Sequence, residues 1–297
     1  MTRSSTKQTL VKMLINDMQL PSNFNQTVQS IYVPLIELIL SKKQNKPLFI
    51  SVNGAQGTGK STLTFFLKRL IESQYPFRVA DVSLDDFYLT REQRHILSKE
   101  VHPLLMTRGV PGTHDLDLLD TAIDTFLNYR PCSLPRFNKA IDDRYEKMAW
   151  THYDKPVDII LFEGWCNNSP VQSADELIEP INELESNEDE QGIWRQYSNN
   201  MLEQYHARVF HHADLCIMLK APDFESIFEW RRLQEQKLRE TTLSEQRNHI
   251  MNDEQLKRFI QHYERISRHT LNTLPSIADI VLPVDKDHLI TGIVNQS

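Results

Sequence analysis

Residues Gly54, Ala55, Gln56, Gly57, Thr58, Gly59, Lys60 and Ser61 spell the pattern G-x-x-x-x-G-K-[ST], followed by Thr62. Few octets restrict their surroundings as much. Glycines let successive backbone N–H groups turn inward and form a nest for an anion. A helix starting near Lys60 adds the positive end of its dipole at the same point. Lys60 can reach the outer phosphates of a bound nucleotide, and the Ser61 hydroxyl can hold Mg²⁺. Such a loop works only between a buried strand and a helix, and both flanks read that way. Pro47–Asn53 is a short apolar, β-branched run, and Ser61–Tyr75 carries Leu63, Phe66, Leu67, Leu70 and Ile71 at helical spacing.

Strand-like runs continue at Phe77–Ser83, Val157–Phe162, Asp214–Leu219 and Asp279–Pro283. Helical stripes fall between them. One is Leu116, Leu119, Ile123, Phe126 and Leu127, and another runs from Leu256 to Ile266 behind an Asn252/Gln255 capping box. Alternating strands and helices predict an α/β domain with a parallel sheet and helices on both faces. Ligands of such a sheet sit at the carboxyl ends of its strands. Residues 1–44 read as a helical extension, with a stripe through Val28, Ile31, Tyr32, Leu35, Leu38 and Ile39 and a bend at Pro34. Residues 45–297 then form the catalytic-type domain. An acidic insert at about 169–190, with five acids between Glu183 and Glu190, reads as solvated or poorly ordered.

The 297 residues can bury a large core as one large domain or two small ones. Their 33 Lys+Arg against 40 Asp+Glu, a net −7, give no global bias toward nucleic acid. No run approaches the ~18 apolar residues of a membrane span. The first residues lack the apolar core of a secretory signal. Cys132, Cys166 and Cys216 are scattered, without zinc or disulfide spacing. These features predict a cytoplasmic protein, a monomer by preference, with a small-molecule partner and neither nucleic acid nor membrane.

Candidate chemistry collects around the strand ends. Asp85 and Asp86 follow the second strand, and transfer of a phosphoryl group to an alcohol needs an acceptor for the hydroxyl proton. Neighbouring side chains there point apart, so one of the two faces a substrate; the sequence does not say which. Tyr88 closes the same motif. Glu163 ends the third strand, where an acid can hold Mg²⁺ or a metal-bound water. Arg108, Thr113 and His114 lie in a turn-rich loop that suits a small anionic ligand, although Thr113 or Asp115 can also be a helix cap. Arg136, Lys139 and Arg144 form a second basic cluster, which also fits a solvated loop. On a helix spanning Asp223–Glu240, Arg231 falls on the apolar stripe beside Arg232. It therefore faces an anion, either a phosphate or a nearby glutamate such as Glu235 or Glu225. His211, His212 and His249 show no metal spacing and read as structural or surface residues.

In order, GAQGTGKS, SLDDFYLT, RGVPGTHD, PRFNKAIDDR, ILFEGW, EWRRLQEQKLR and MNDEQLKRFIQHYE resemble the D-glycerate 3-kinase family. That family is a branch of the P-loop kinases related to uridine kinase, phosphoribulokinase and bacterial pantothenate kinase. The resemblance runs from about residue 48 to 287. The phosphate loop is specific to the superfamily alone, whereas the Asp-Asp-Phe-Tyr, Gly-Thr-His-Asp and Phe-Glu-Gly-Trp runs together point to the branch. It implies a P-loop kinase fold with a helical lid, and ATP and Mg²⁺ as cofactors. It also implies Asp85 as the base, Lys60 and Ser61 as phosphate and magnesium residues, Glu163 as the acid after the third strand, and Arg231 and Arg232 as lid residues. The stretches 139–144 and 110–113 depart from plant members, and both lie in the expected substrate loops. The expected reaction is phosphorylation of a small hydroxy acid, D-glycerate by preference. Alternatives are a nucleoside, pantothenate or other alcohol as acceptor, or an ATP-responsive regulatory protein without transfer.

Overall fold

Leading into the central sheet are helix α1 (Arg3–Asp17), the single turn α2 (Phe24–Thr27), a π-helical turn over Val28–Tyr32, and α3 (Val33–Ser41). These belong to a computed structural model that describes residues 3–241 and 251–296. The bend expected at Pro34 takes the form of this π-turn, with Pro34 in the first turn of α3, where a missing N–H costs little. Val11, Leu14, Ile15, Val28, Ile31, Leu35 and Ile39 from these helices join one buried cluster with the sheet. Full burial of such a side chain contributes about 1.5–3 kcal/mol, which ties residues 3–41 to the sheet rather than leaving them as a separate body.

Strand β1 (Leu48–Gly54) is buried at every residue, as a strand covered on both faces must be. Helix α4 (Lys60–Gln74) and strand β2 (Val79–Ser83) follow, then helices α5 (Arg91–Glu100) and α6 (Leu116–Leu127). Two small antiparallel ribbons intervene: β3 (Cys132–Leu134) with β6 (Thr151–Tyr153), and β4 (Phe137–Asn138) with β5 (Asp143–Arg144). Next come β7 (Ile159–Gly164), helices α7 (Glu183–Glu188) and α8 (Ile193–Arg208), β8 (Leu215–Lys220), α9 (Phe224–Thr241), α10 (Asp253–Thr273), β9 (Ile280–Pro283) and β10 (Val294–Asn295).

The sheet order is β10-β9-β8-β1-β7-β2, parallel except for the antiparallel edge β10. β1 therefore lies between β7 and β8, with successive connections leaving it to either side, so a crevice opens at its carboxyl end. Alternate residues divide the core. Ile50, Val52, Ile159 and Leu161 pack with the N-terminal helices and α4, whereas Phe49, Ile160 and Phe162 pack with α6 and α8. Register places Val52 and Ser83 on either side of Glu163, all in one row near the strand ends.

The acidic stretch corrects the sequence expectation. It is folded, and its acids hold it in place. Asn182 caps α7 by accepting from the Glu185 N–H at 3.0 Å. Glu185, fully buried, accepts from Arg265 Nε and Nη2 at 2.8 and 2.6 Å. Asp189, 2% exposed, accepts from Arg195 Nη1 at 3.0 Å. The cations come from α8 and α10, so local composition alone pointed to a solvated segment.

Candidate active site

A cleft of about 340 Å³ opens where the carboxyl ends of β1, β2 and β7 meet. Its floor is the glycine loop. Gly59, with φ 91°, turns the chain into α4, and nothing lies within 4 Å of where its Cβ would be. Open space over a left-handed glycine is the cradle that a phosphate needs. Thr58 Oγ1 donates to the Ala55 carbonyl at 2.8 Å and Lys60 Nζ donates to the same oxygen at 3.2 Å, closing the turn behind the cleft. Gln56, Gly57, Lys60 and Ser61 line the cleft, while Gly54 and Ala55 form the turn.

Ser61 Oγ donates to Glu163 Oε1 at 3.2 Å, and Ser83 Oγ donates to the same oxygen at 2.8 Å. Glu163 is 8% exposed. Hard oxygen donors meeting at the loop's edge are the ligand chemistry that suits Mg²⁺, which takes one or two protein oxygens and completes its shell with phosphate and water. Among the described residues no three His, Cys, Asp or Glu side chains converge as a metal cluster.

The opposite wall is built by the turn Leu84–Phe87. The two adjacent carboxylates diverge. Asp85 lines the cleft, accepting from Tyr88 Oη at 2.7 Å and from Lys139 Nζ at 2.7 Å. Asp86 points away and accepts from Phe137 N–H at 3.0 Å and Arg136 Nη1 at 3.1 Å. Their acidities differ accordingly. Burial works to raise Asp85, but the Lys139 ammonium, the Tyr88 hydroxyl and Lys60 outweigh it and hold Asp85 below the usual carboxylate range. Burial dominates at Asp86 and raises it.

Two cations reach the cleft from the sides. Arg108 is paired with Asp142 and packs over the Phe137 ring, 5.5 Å from its centroid. Arg231, on α9, is paired with Glu235 one turn on and lies 6.0 Å from the Phe259 centroid. Both readings of Arg231 thus meet in one place: it has a glutamate partner and it lines the cleft. Arg232 turns outward to Glu229 and does not line it.

Several residues expected at a substrate lie behind the wall instead. Thr113 is fully buried; its hydroxyl accepts from Gly109 N–H at 2.9 Å and donates to the Val110 carbonyl at 2.7 Å. His114, 3% exposed, stacks on Tyr88 with centroids 4.6 Å apart, and its Nδ1 lies 2.9 Å from Tyr205 Oη. Burial pushes its pKa down to about 3, so the ring is neutral and cannot act as a cationic anion receptor. Arg144 donates to the Tyr88 carbonyl and to Asp115, and Arg136 is engaged with Asp86. Asp115, not Thr113, caps α6. These side chains shape the loop that positions Tyr88 and Asp85. His249 lies outside the described residues.

Sequence reasoning missed Trp165, Gln234, Phe259 and Tyr263, which also line the cleft. Gly109 carries the one available signal. At φ 135°, a Cβ there would lie 2.0 Å from the Tyr263 hydroxyl, which donates to the Arg108 carbonyl at 3.0 Å. Trp165 Nε1 donates to the Gly109 carbonyl at 2.8 Å, so this glycine joins α10 and β7 to the arginine loop.

No protein-family model matches the chain. It is similar to "Uncharacterized kinase mug58" of Schizosaccharomyces pombe, 29% identical over 232 residues, covering 75% of this chain and 80% of that one. It is 30% identical over 259 residues to the chloroplastic D-glycerate 3-kinase of Arabidopsis thaliana. That match covers 81% of this chain and 53% of the plant protein, so the chain spans about half its length. Among solved structures, D-glycerate 3-kinase from Cryptococcus neoformans superposes with a TM-score of 0.74 at 25% identity, covering 90% of this chain and 99% of that chain.

Proposed function

We propose that the chain is a P-loop kinase related to the D-glycerate 3-kinases, to which it is similar, and that it transfers the γ-phosphoryl group of ATP to a hydroxyl of D-glycerate. One observation carries this reading: Asp85, an ionised carboxylate, stands in the same cleft as the phosphate loop and as the cations Arg108 and Lys139. An alcohol placed there loses its proton to Asp85 as its oxygen bonds to phosphorus, and ADP leaves with the bridging oxygen. Lys60 and Arg231 face the charge that builds on the transferring group. Ser61 and Glu163 would hold Mg²⁺, which when bound would supply charge neutralisation at the phosphates. Tyr88 holds Asp85 through its hydroxyl, fixing the base in one orientation.

Lys139 and Arg108 supply the argument for the acceptor class. A carboxylate taken into this cleft without a cation is costly, and Lys139 and Arg108, paired here with Asp85 and Asp142, both line it. A neutral nucleoside offers them nothing. ADP release with D-glycerate, pantothenate and uridine tests the assignment. The reading predicts turnover with D-glycerate at least about tenfold above the other two. Preference for either of the others would replace the acceptor and keep the kinase. ATP binding with no ADP from any acceptor would favour a nucleotide-responsive regulator.

A further inference from the structure

Three separate stretches of chain bring charged groups to the acceptor side of the cleft. Residues 84–89 carry Asp85, residues 106–109 carry Arg108, and the turn of the β4–β5 ribbon carries Lys139. One buried side chain reaches all three. Arg94, on α5, is 1% exposed. Its Nε donates to the Leu89 carbonyl at 3.3 Å, its Nη1 to the Met106 carbonyl at 3.0 Å, and its Nη2 to the Asp142 carbonyl at 2.7 Å. A planar fork of five N–H donors can serve three segments at once, which a compact ammonium cannot.

The Asp142 side chain completes the arrangement. Its Oδ2 accepts from the same Arg94 Nη2 at 2.9 Å, and its Oδ1 accepts from Arg108 Nη1. One carboxylate is thus shared by a buried arginine and by an arginine that lines the cleft. Two guanidinium charges against one carboxylate leave a net positive charge at this point. The Phe137 ring supports both cations, with its centroid 6.0 Å from the Arg94 guanidinium carbon and 5.5 Å from that of Arg108. Asp142 has φ 57°, a left-handed conformation that Asp and Asn tolerate better than other side chains. In that conformation its carbonyl and its carboxylate both meet the Arg94 guanidinium.

We propose that Asp142 is a positioning residue: clamped by Arg94, it holds Arg108 in the orientation that receives the carboxylate of the acceptor. This rests on the kinase reading above, with Arg108 as an acceptor cation. An unrestrained arginine explores many rotamers and loses that freedom when a ligand binds. Arg108 has lost it beforehand, because its partner cannot shift without breaking the hydrogen bonds to Arg94. In a competitor's role, Asp142 would instead occupy Arg108 until an acceptor displaced it. The two roles differ in sign: removing a competitor strengthens acceptor binding, and removing a positioner weakens it. The buried Arg94 decides for the second, since it takes up the Asp142 charge and leaves Arg108 a cation toward the cleft.

Steady-state kinetics with Mg·ATP and D-glycerate compare full-length wild type, Asp142→Asn, Arg108→Gln and the double variant. Asparagine keeps the left-handed backbone and removes the charge. Asp142→Asn is expected to raise KM for D-glycerate by about tenfold, with kcat and KM for ATP each within about twofold. In the Arg108→Gln background the same substitution should change KM for D-glycerate by less than about twofold, because the residue it acts through is gone. Arg94→Lys keeps a charge and loses the fork, and should raise the same KM. Should Arg94→Lys fold poorly, the cycle between Asp142 and Arg108 still decides. A lower or unchanged KM in Asp142→Asn would overturn the proposal. Equal effects with and without Arg108 would do so too, as would parallel losses in kcat and ATP binding, the mark of a general structural role. Each of these leaves the kinase reading standing. Wild-type protein that transfers nothing to D-glycerate would remove the acceptor reading itself, and this proposal with it.

Discussion

Lys139 Nζ lies 2.7 Å from Asp85 Oδ2, joining the carboxylate proposed as the base to a cation 54 residues further along the chain. Both side chains are partly open to water, Asp85 at 34% and Lys139 at 61%. An exposed pair of this kind is worth little in stability. Its consequence is chemical: the ammonium keeps Asp85 ionised, and an arriving carboxylate can draw the ammonium toward itself.

Lys139→Gln is therefore expected to raise KM for a carboxylate acceptor by about tenfold or more, with a smaller change in kcat. It should also move the acid limb of kcat/KM to higher pH. Without the cation, only the Tyr88 hydroxyl and Lys60 oppose burial, so the Asp85 pKa rises and the base is protonated sooner as pH falls. Steady-state kinetics across pH checks both; an unmoved limb would detach Lys139 from Asp85.

Arg231 and Arg232 stand side by side in sequence and face opposite ways. Arg231→Ala should lower kcat by about 10²-fold or more, since comparable arginines accelerate phosphoryl transfer by about 10³–10⁵. Arg232→Ala, which removes only an outward pair with Glu229, should stay within about twofold. Equal losses in the two variants would contradict the geometry.

Much of this architecture could be read from the chain because local and global signals agree. The run 48–54 is buried throughout, the Asn252/Gln255 capping box forms as its spacing predicts, and Glu163 sits at a strand end beside Ser61. Long-range partners could not be read. Nothing near Glu185 announces Arg265, 80 residues away. Nothing near Asp85 says that Lys139 reaches it while Arg136 goes to Asp86. Thr113 and His114 look like ligand contacts because polar residues in a turn usually meet solvent; here the Tyr88 ring and Tyr205 enclose His114, and the Thr113 hydroxyl turns back to Gly109 and Val110.

The Glu185–Arg265 pair tests the corrected reading of the acidic stretch. Glu185→Ala leaves a buried guanidinium without its carboxylate, which costs about 3–5 kcal/mol. Urea unfolding should show that loss. A change near zero would mean that the stretch is as loosely held as its composition suggests.

Below neutral pH the protein should lose stability through His114. Its folded pKa of about 3 lies under the unfolded value near 6.5. The unfolded chain therefore binds the proton first, and stability falls as pH drops through 6.5 toward 3. By pH 5 this one group accounts for about 2 kcal/mol. Comparing unfolding free energies at pH 7.5 and pH 5, His114→Phe should lose that much less than wild type. Identical slopes would mean that the imidazole is not shielded from protons.

The central claim is that Asp85 prepares an alcohol for a phosphoryl group held by the loop at 54–61. Transfer of labelled γ-phosphate from Mg·ATP to D-glycerate, in wild type and Asp85→Asn, measures it directly. The account predicts an acid-stable phosphate ester from wild type, and turnover lower by about 10²–10⁴ in Asp85→Asn with ATP affinity nearly unchanged. Equal turnover in the two proteins would contradict it.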